Sequence, residues 1–230
     1  MNLEVLYQDD WLCAILKPAG VLVHPTRGAD DRVTCLSLVR DMLGQWVYPI
    51  HRLDRGTSGV LVFPLSSEDA REVGRAFAEH RVEKVYYAVT RGWVEDGVQA
   101  SELDGKTAET SYRCLARTEV PIPVDPHPSA RYSLVEARPS SGVYHQIRRH
   151  LRRAGHPILG DTRHGHKGHN QMAREHFGFE RLALHAGRLV LPHPRTGQPL
   201  CLEAPTTPDL RQLFYELKLD PIAQGDLLGR

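Results

Sequence analysis

Apolar residues in the N-terminal third come in runs of about five, each halted by proline or glycine, and such punctuation admits strands but no long helix. Leu3 to Tyr7 and Leu12 to Leu16 read as strands, the second stopped by Lys17-Pro18-Ala19-Gly20, and Val21 to Pro25 reads as a third. Asp31 to Leu43 carries Val33, Leu36, Val39 and Leu43 at helical spacing with Gly44 behind it, the pattern of a helix closed by glycine. A second helix is predicted from Ser66, where Ser66-Ser67-Glu68-Asp69 resembles a capping box and Ala70, Val73 and Phe77 form a stripe. Farther along, Lys84 to Val89, Thr110 to Ala116, Arg131 to Glu136, Leu182 to Leu191 and Leu200 to Glu203 read as strands, and Val120 to Pro128, with four prolines, as a surface loop. Tyr144 to Ala154 and the stretch around Leu210 to Leu217 read as helices. The class is therefore α+β and strand-rich, with one domain over residues 1–230 expected.

Composition removes the non-globular alternatives. Over 230 residues, 41% hydrophobic and 25% charged is ordinary globular usage and excludes disorder, collagen and coiled coil. No run approaches the roughly 18 to 20 apolar residues of a membrane span, and Met1-Asn2-Leu3-Glu4 does not open like a secretory signal, so a cytoplasmic chain is expected. Cys13, Cys35, Cys114 and Cys201 lie far apart, which points to reduced thiols rather than zinc or dithiol chemistry.

Charge is distributed unevenly. From Arg138 to His176 there are eight basic side chains against Asp161 and Glu175, a net of +6, which leaves −5 for the rest of a chain whose total is +1. Seven of the thirteen histidines fall in the same segment. Much of this charge rides on the helix at 144–154, so a polyanion docked on one face is the expected partner. His164, His166 and His169 raise the question of a metal. Lys167 among them and the lack of a neighbouring acidic or cysteine ligand favour contact with that polyanion, and no metal is expected.

The polar loop His51 to Gly59 runs directly into the buried-strand signal Val60 to Phe63. It presents one carboxylate, Asp54, between Arg52 and Arg55, and neighbouring cations favour the ionised form of an acid. An ionised, partly desolvated carboxylate can serve as nucleophile or base, although an Asp in such a loop is more often a turn former.

Four segments, taken in order, resemble the pseudouridine synthases that act on uridines in ribosomal and transfer RNA. His51-Arg52-Leu53-Asp54 through Thr57-Ser58-Gly59 is similar to their catalytic loop, and Lys84-Val85-Tyr86-Tyr87-Ala88-Val89-Thr90-Arg91-Gly92 to their second motif. Ser141 to Arg148 resembles the third, with Val143 where a basic residue is usual, and Arg181 to Ala186 the closing one. The resemblance spans about Leu3 to Pro205. It implies a mixed, mostly antiparallel central sheet flanked by helices, with an active-site cleft across it and no appended N-terminal RNA-binding module.

It also implies roles. Asp54 is the catalytic carboxylate, Tyr86 the active-site tyrosine and Arg148 the partner of the aspartate. Arg52 is the wedge that fills the stack left by an extruded base, and Leu184 and Ile147 contact the substrate. Arg149, Arg152, Arg153, Arg163 and Lys167 supply RNA phosphate contacts. Tyr7 to Trp11, Val21 to Pro25, Glu175 to Phe179 and His193 to Gly197 are similar to members acting at position 65 in the T stem of transfer RNA, so tRNA is the expected partner and ribosomal RNA the alternative. The isomerisation requires no cofactor, and a monomer is expected. A noncatalytic RNA-binding protein on the same scaffold, or a hydrolase that stops after glycosidic cleavage, are the competing readings.

Overall fold

The computed structural model describes residues 2–25 and 33–219. In chain order its elements are β1 (Glu4–Gln8), β2 (Leu12–Lys17), α1 (Cys35–Leu43), β3 (Ser58–Pro64), α2 (Ser67–Ala78), β4 (Glu83–Arg91), β5 (Gly97–Leu103), β6 (Lys106–Val120), β7 (Ala130–Pro139), α3 (Gln146–Arg153), α4 (Lys167–Phe177), β8 (Leu184–Pro192), β9 (Pro199–Glu203) and α5 (Pro208–Glu216). The strands belong to one mixed, mostly antiparallel sheet, as expected. Among the described residues two compact units separate, one made of the chain up to Lys84 with Ala186–Pro205, the other of Val85–His185 with 206–219. β4 and β8 each contribute residues to both.

In the first unit the neighbours run β1, β2, β3 and β8, with β9 beside β8. Leu12, Ala14, Val60, Val62, Leu189, Leu191 and Leu202 form its core with Val73 and Ala76 of α2. Every residue of β3 is buried, which its unbroken apolar run requires. Gly59 has φ +121°, and a Cβ there would lie 2.2 Å from the carbonyl oxygen of Ala186, so only glycine lets β3 approach β8 this closely. Ser66 caps α2 by accepting from the amide of Asp69, and Gly44 closes α1 in the left-handed region (φ 64°). Helix α1 starts at Cys35 behind a Thr34–Ser37 capping box; the expected start at Asp31 and Arg32 lies outside the described residues.

One expected strand is absent. Val21 to Pro25 forms only an isolated parallel bridge between Leu22 and Thr34. The carbonyls of Leu22 and Val23 instead accept from the amides of Cys35 and Leu36 (2.8 and 2.9 Å), so the segment satisfies the open N-terminus of α1 rather than a sheet.

In the second unit the order is β4, β7, β6, β5. Ile147 and Leu151 of α3 pack into a core with Ala88, Val89, Tyr132, Leu134, Leu159, Leu184 and, from α5, Leu210, Leu213 and Phe214. The polar side of α3 is pinned as firmly as the apolar side. Gln146 Nε2 donates to the carbonyl of Glu109 (2.8 Å), its Oε1 accepts from the Val143 amide (3.1 Å), and His150 lies 2.9 Å from Thr110 Oγ1 and 3.0 Å from Ser101 Oγ.

Candidate active site

Asp54 sits in the loop before β3. Its own carbonyl accepts from the Thr57 amide at 3.0 Å in a tight turn, and Asp54 is half-buried while Leu53 beside it is buried. The turn is held from below by Lys17. β2 pairs with β3 in a register that sets Lys17 opposite Gly59, and the Lys17 ammonium, fully buried, donates to the carbonyls of Thr57 (2.8 Å), Pro18 (2.9 Å) and Arg55 (3.2 Å). The Arg55 carbonyl also accepts from the Gly20 amide at 2.7 Å, and Arg55 Nε returns a bond to the Gly20 carbonyl at 2.9 Å. A buried cation satisfied by carbonyls on both sides of Gly56 leaves the backbone of the Asp54 loop little freedom. Arg52 is exposed.

His51 and Lys84 lie in the same unit. The Val62 amide donates to His51 Nε2 at 3.0 Å, and the ring stacks on Phe77. A nitrogen accepting from an amide carries no proton, and burial followed by the Lys84 charge pushes His51 down to about 4. Burial likewise lowers Lys84 to about 8.

Tyr86, Arg148, Ile147 and Leu184 belong to the second unit. Tyr86, on β4 opposite Ala137 of β7, is half-buried against the core. Ile147 and Leu184 are buried within it. Arg148 turns inward, as its place at the margin of the apolar face of α3 predicts, and is only 8% exposed. Asp161 holds it in a two-pronged pair, Nε to Oδ2 at 2.7 Å and Nη2 to Oδ1 at 2.8 Å. Burial acts to raise the Asp161 carboxyl, but Arg148 and the amides of His164 and Arg163, both 2.9 Å from Oδ1, hold it below the usual carboxylate range. Asp161 is fixed in turn by α4, where the Asn170 side chain takes the Gly160 amide (2.8 Å) and gives to the Asp161 carbonyl (2.9 Å).

Of the basic residues, Arg152, Arg153, Arg163 and Lys167 are exposed and Arg149 half-buried. Arg149 pairs with Asp104 at 2.8 Å, Arg153 donates to Ser101, and Arg152 donates to the carbonyls of His164 and Gly165. The expected loop over His164 to His169 ends at His166, because α4 begins at Lys167. His169 is buried beside Tyr132 (hydroxyl to Nδ1, 2.7 Å), and burial, then Arg91, lowers it to about 4.

Lys17 and Asp161 complete this geometry without a motif to mark them. Lys17 reads as part of a turn signal, and Asp161 as one acid in a basic segment. Only the Gly160-Asp161 pair hints at a turn-forming carboxylate.

Known proteins share both the sequence and this arrangement of elements. A tRNA pseudouridine synthase C of Salmonella typhi is 46% identical over 88% of this chain and 85% of its own, and one of Vibrio cholerae 45% identical over 88% and 90%. The solved structure of human RNA Pseudouridylate Synthase Domain Containing 4 superposes with a TM-score of 0.73 at 25% identity, covering 94% of this chain and 93% of that one. Residues 12–153, which carry the Asp54 loop, Tyr86 and Arg148, match the family described as RNA pseudouridylate synthase. The chain belongs to that family.

Proposed function

We propose that the protein isomerises a uridine of transfer RNA to pseudouridine, with Asp54 as the catalytic carboxylate and position 65 of the T stem as the target. The observation that carries the reading is the rigid presentation of Asp54, on a turn clamped by Lys17, in a chain whose relatives bear the name of a tRNA pseudouridine synthase.

The reaction breaks N1–C1′, turns the uracil, joins C5 to C1′ and releases the C5 proton while N1 gains one; no redox partner is involved. Cleavage builds positive character at C1′, and an ionised carboxylate beneath the sugar stabilises it or traps it covalently. The same group can instead remove the 2′ proton to give a glycal. Arg148, gripped by Asp161 in one orientation, takes the role the family resemblance implies, the counter-ion that keeps the catalytic carboxylate charged. Tyr86 stacks on the uracil and assists deprotonation at C5, with Ile147 and Leu184 against the base. A stem uridine must leave the helix, at a cost of a few kcal/mol. Arg52 fills the gap, and Arg149, Arg152, Arg153, Arg163 and Lys167 hold phosphates with salt-dependent affinity.

The test is tritium release from tRNA labelled at uridine C5. Asp54→Ala is expected to abolish release while leaving tRNA binding largely intact; unchanged release removes Asp54 from the mechanism. Primer extension after carbodiimide treatment of tRNA from a deletion strain should lose the stop at position 65. Loss confined to ribosomal RNA overturns the substrate, and accumulation of free uracil overturns isomerisation in favour of hydrolysis.

A further inference from the structure

Immediately before α3 the chain exposes an aromatic side chain that the reaction does not use. Tyr144 is 48% exposed within the most basic segment of the sequence. Its ring is not loose. His145 stacks against it with centroids 3.7 Å apart and planes inclined by 23°, so one face is covered while nearly half the residue meets solvent. Arg163 reaches its hydroxyl with Nη1 at 3.3 Å. His145, at φ 54° in the left-handed region, is fixed from behind by His164, Nδ1 to Nε2 at 2.9 Å. The His164 amide donates to Oδ1 of Asp161, the carboxylate that holds Arg148. The ring is thus braced through His145, His164 and Asp161 to the same anchor as a site residue of this unit.

The geometry points to Tyr144 as a stacking platform for a nucleobase of the bound RNA, a base other than the uridine that is isomerised. This rests on the RNA-isomerase reading above. An exposed ring backed by an imidazole offers the flat surface on which unstacked bases settle, and proteins read unpaired nucleotides in this way. Charge selects the occupant. Among the described residues, Arg152 and Arg163 meet no carboxylate, and Arg163, its Cζ 5.8 Å from the ring centroid, sets positive charge beside the ring for a phosphodiester.

The experiment measures binding of an unmodified tRNA transcript to the full chain and its Tyr144 variants, with melting temperature checked alongside. Tyr144→Ala is expected to weaken binding about 5- to 100-fold, the range for loss of one base–aromatic stack, without changing the salt dependence. Tyr144→Phe should retain wild-type affinity, whereas Arg163→Ala should lower the slope of log affinity against log salt by about one. A scan of abasic transcripts should then find one position that weakens the wild type and has no further effect on Tyr144→Ala. Wild-type affinity in Tyr144→Ala, loss in Tyr144→Phe equal to that in Tyr144→Ala, or no coupled abasic position each overturns the platform. Failure of the wild type to release tritium would instead sink the isomerase reading, so the two failures are distinguishable.

Discussion

Replacing Asp161 by asparagine keeps the shape of the side chain and removes its charge, which makes it a sharp probe of how Arg148 is held. Both backbone amides that Asp161 receives, from Arg163 and His164, converge on Oδ1, and an asparagine oxygen can keep them. Oδ2, which takes Arg148 Nε at 2.7 Å, becomes an amide nitrogen, so donor faces donor and a guanidinium only 8% exposed loses the charge of Asp161. Breaking one side of a buried ion pair costs about 3–5 kcal/mol, against a total stability on the order of 5–15 kcal/mol. At about 2–4 °C per kcal/mol for a chain of this size, the melting temperature should fall by roughly 6–20 °C. Tritium release should fall with it below the melting range, because Arg148 no longer has one orientation, and Asp161→Glu should not restore either quantity, since a longer carboxylate cannot meet both the fork and the amides. A D161N protein that melts within about 2 °C of wild type and turns over at the wild-type rate would refute the reasoning.

Lys17→Met removes the ammonium that binds three carbonyls and leaves that of Thr57 buried without it; stability should drop by about 3 kcal/mol, and turnover should fall more than tenfold while tRNA affinity, read by filter binding, changes little. The buried histidines make stability depend on pH. His169 is held near 4, below its unfolded value near 6.5, so the unfolded chain binds the extra proton: its contribution is complete above about pH 6.5 and is lost as pH falls toward 4, by roughly 3 kcal/mol in all. The neighbouring Arg91, His166 and His127 all work in that direction. Urea midpoints of the wild type between pH 7 and 5 should therefore fall more steeply than those of His169→Gln, and parallel curves would contradict the assignment.

How much of this could be read from the sequence depends on whether a signal is local. Gly44 and Ser66 mark the end of α1 and the start of α2 because a left-handed cap and a capping hydroxyl are decided by the residues beside them. β3 shows itself as an unbroken apolar run, and the inward turn of Arg148 follows from its place next to Ile147. The strand predicted over Val21 to Pro25 failed because its carbonyls are captured by α1, a competition that periodicity does not register. Helix α4 hides because its buried residues, His169, Met172 and Ala173, include too few strong hydrophobes to make a stripe. β5 alternates exposed and half-buried residues with only Leu103 fully inside, and so carries almost no apolar pattern. Asp161 is thirteen residues from Arg148, and Lys17 about forty from two of the three carbonyls it binds, and no rule of spacing links such partners.

In each unit a buried charge, Lys17 in one and the Arg148–Asp161 pair in the other, fixes a candidate residue, and that choice makes a further prediction. Desolvating an ion pair offsets most of its attraction, so Arg148–Asp161 adds little net stability, although losing one member is costly. Its value lies in direction: a methionine would fill the space beside Ile147 equally well but could take several rotamers, whereas a guanidinium gripped through Nε and Nη2 has one. The double variant Arg148→Met, Asp161→Asn removes both charges while the introduced asparagine keeps the amides of Arg163 and His164. It should recover about 2 kcal/mol or more of the stability lost in D161N, visible as a rise in the urea midpoint, and release no tritium. A double variant that melts no higher than D161N would contradict the unpaired guanidinium as the source of that loss, and one that still releases tritium would sink the orientation argument.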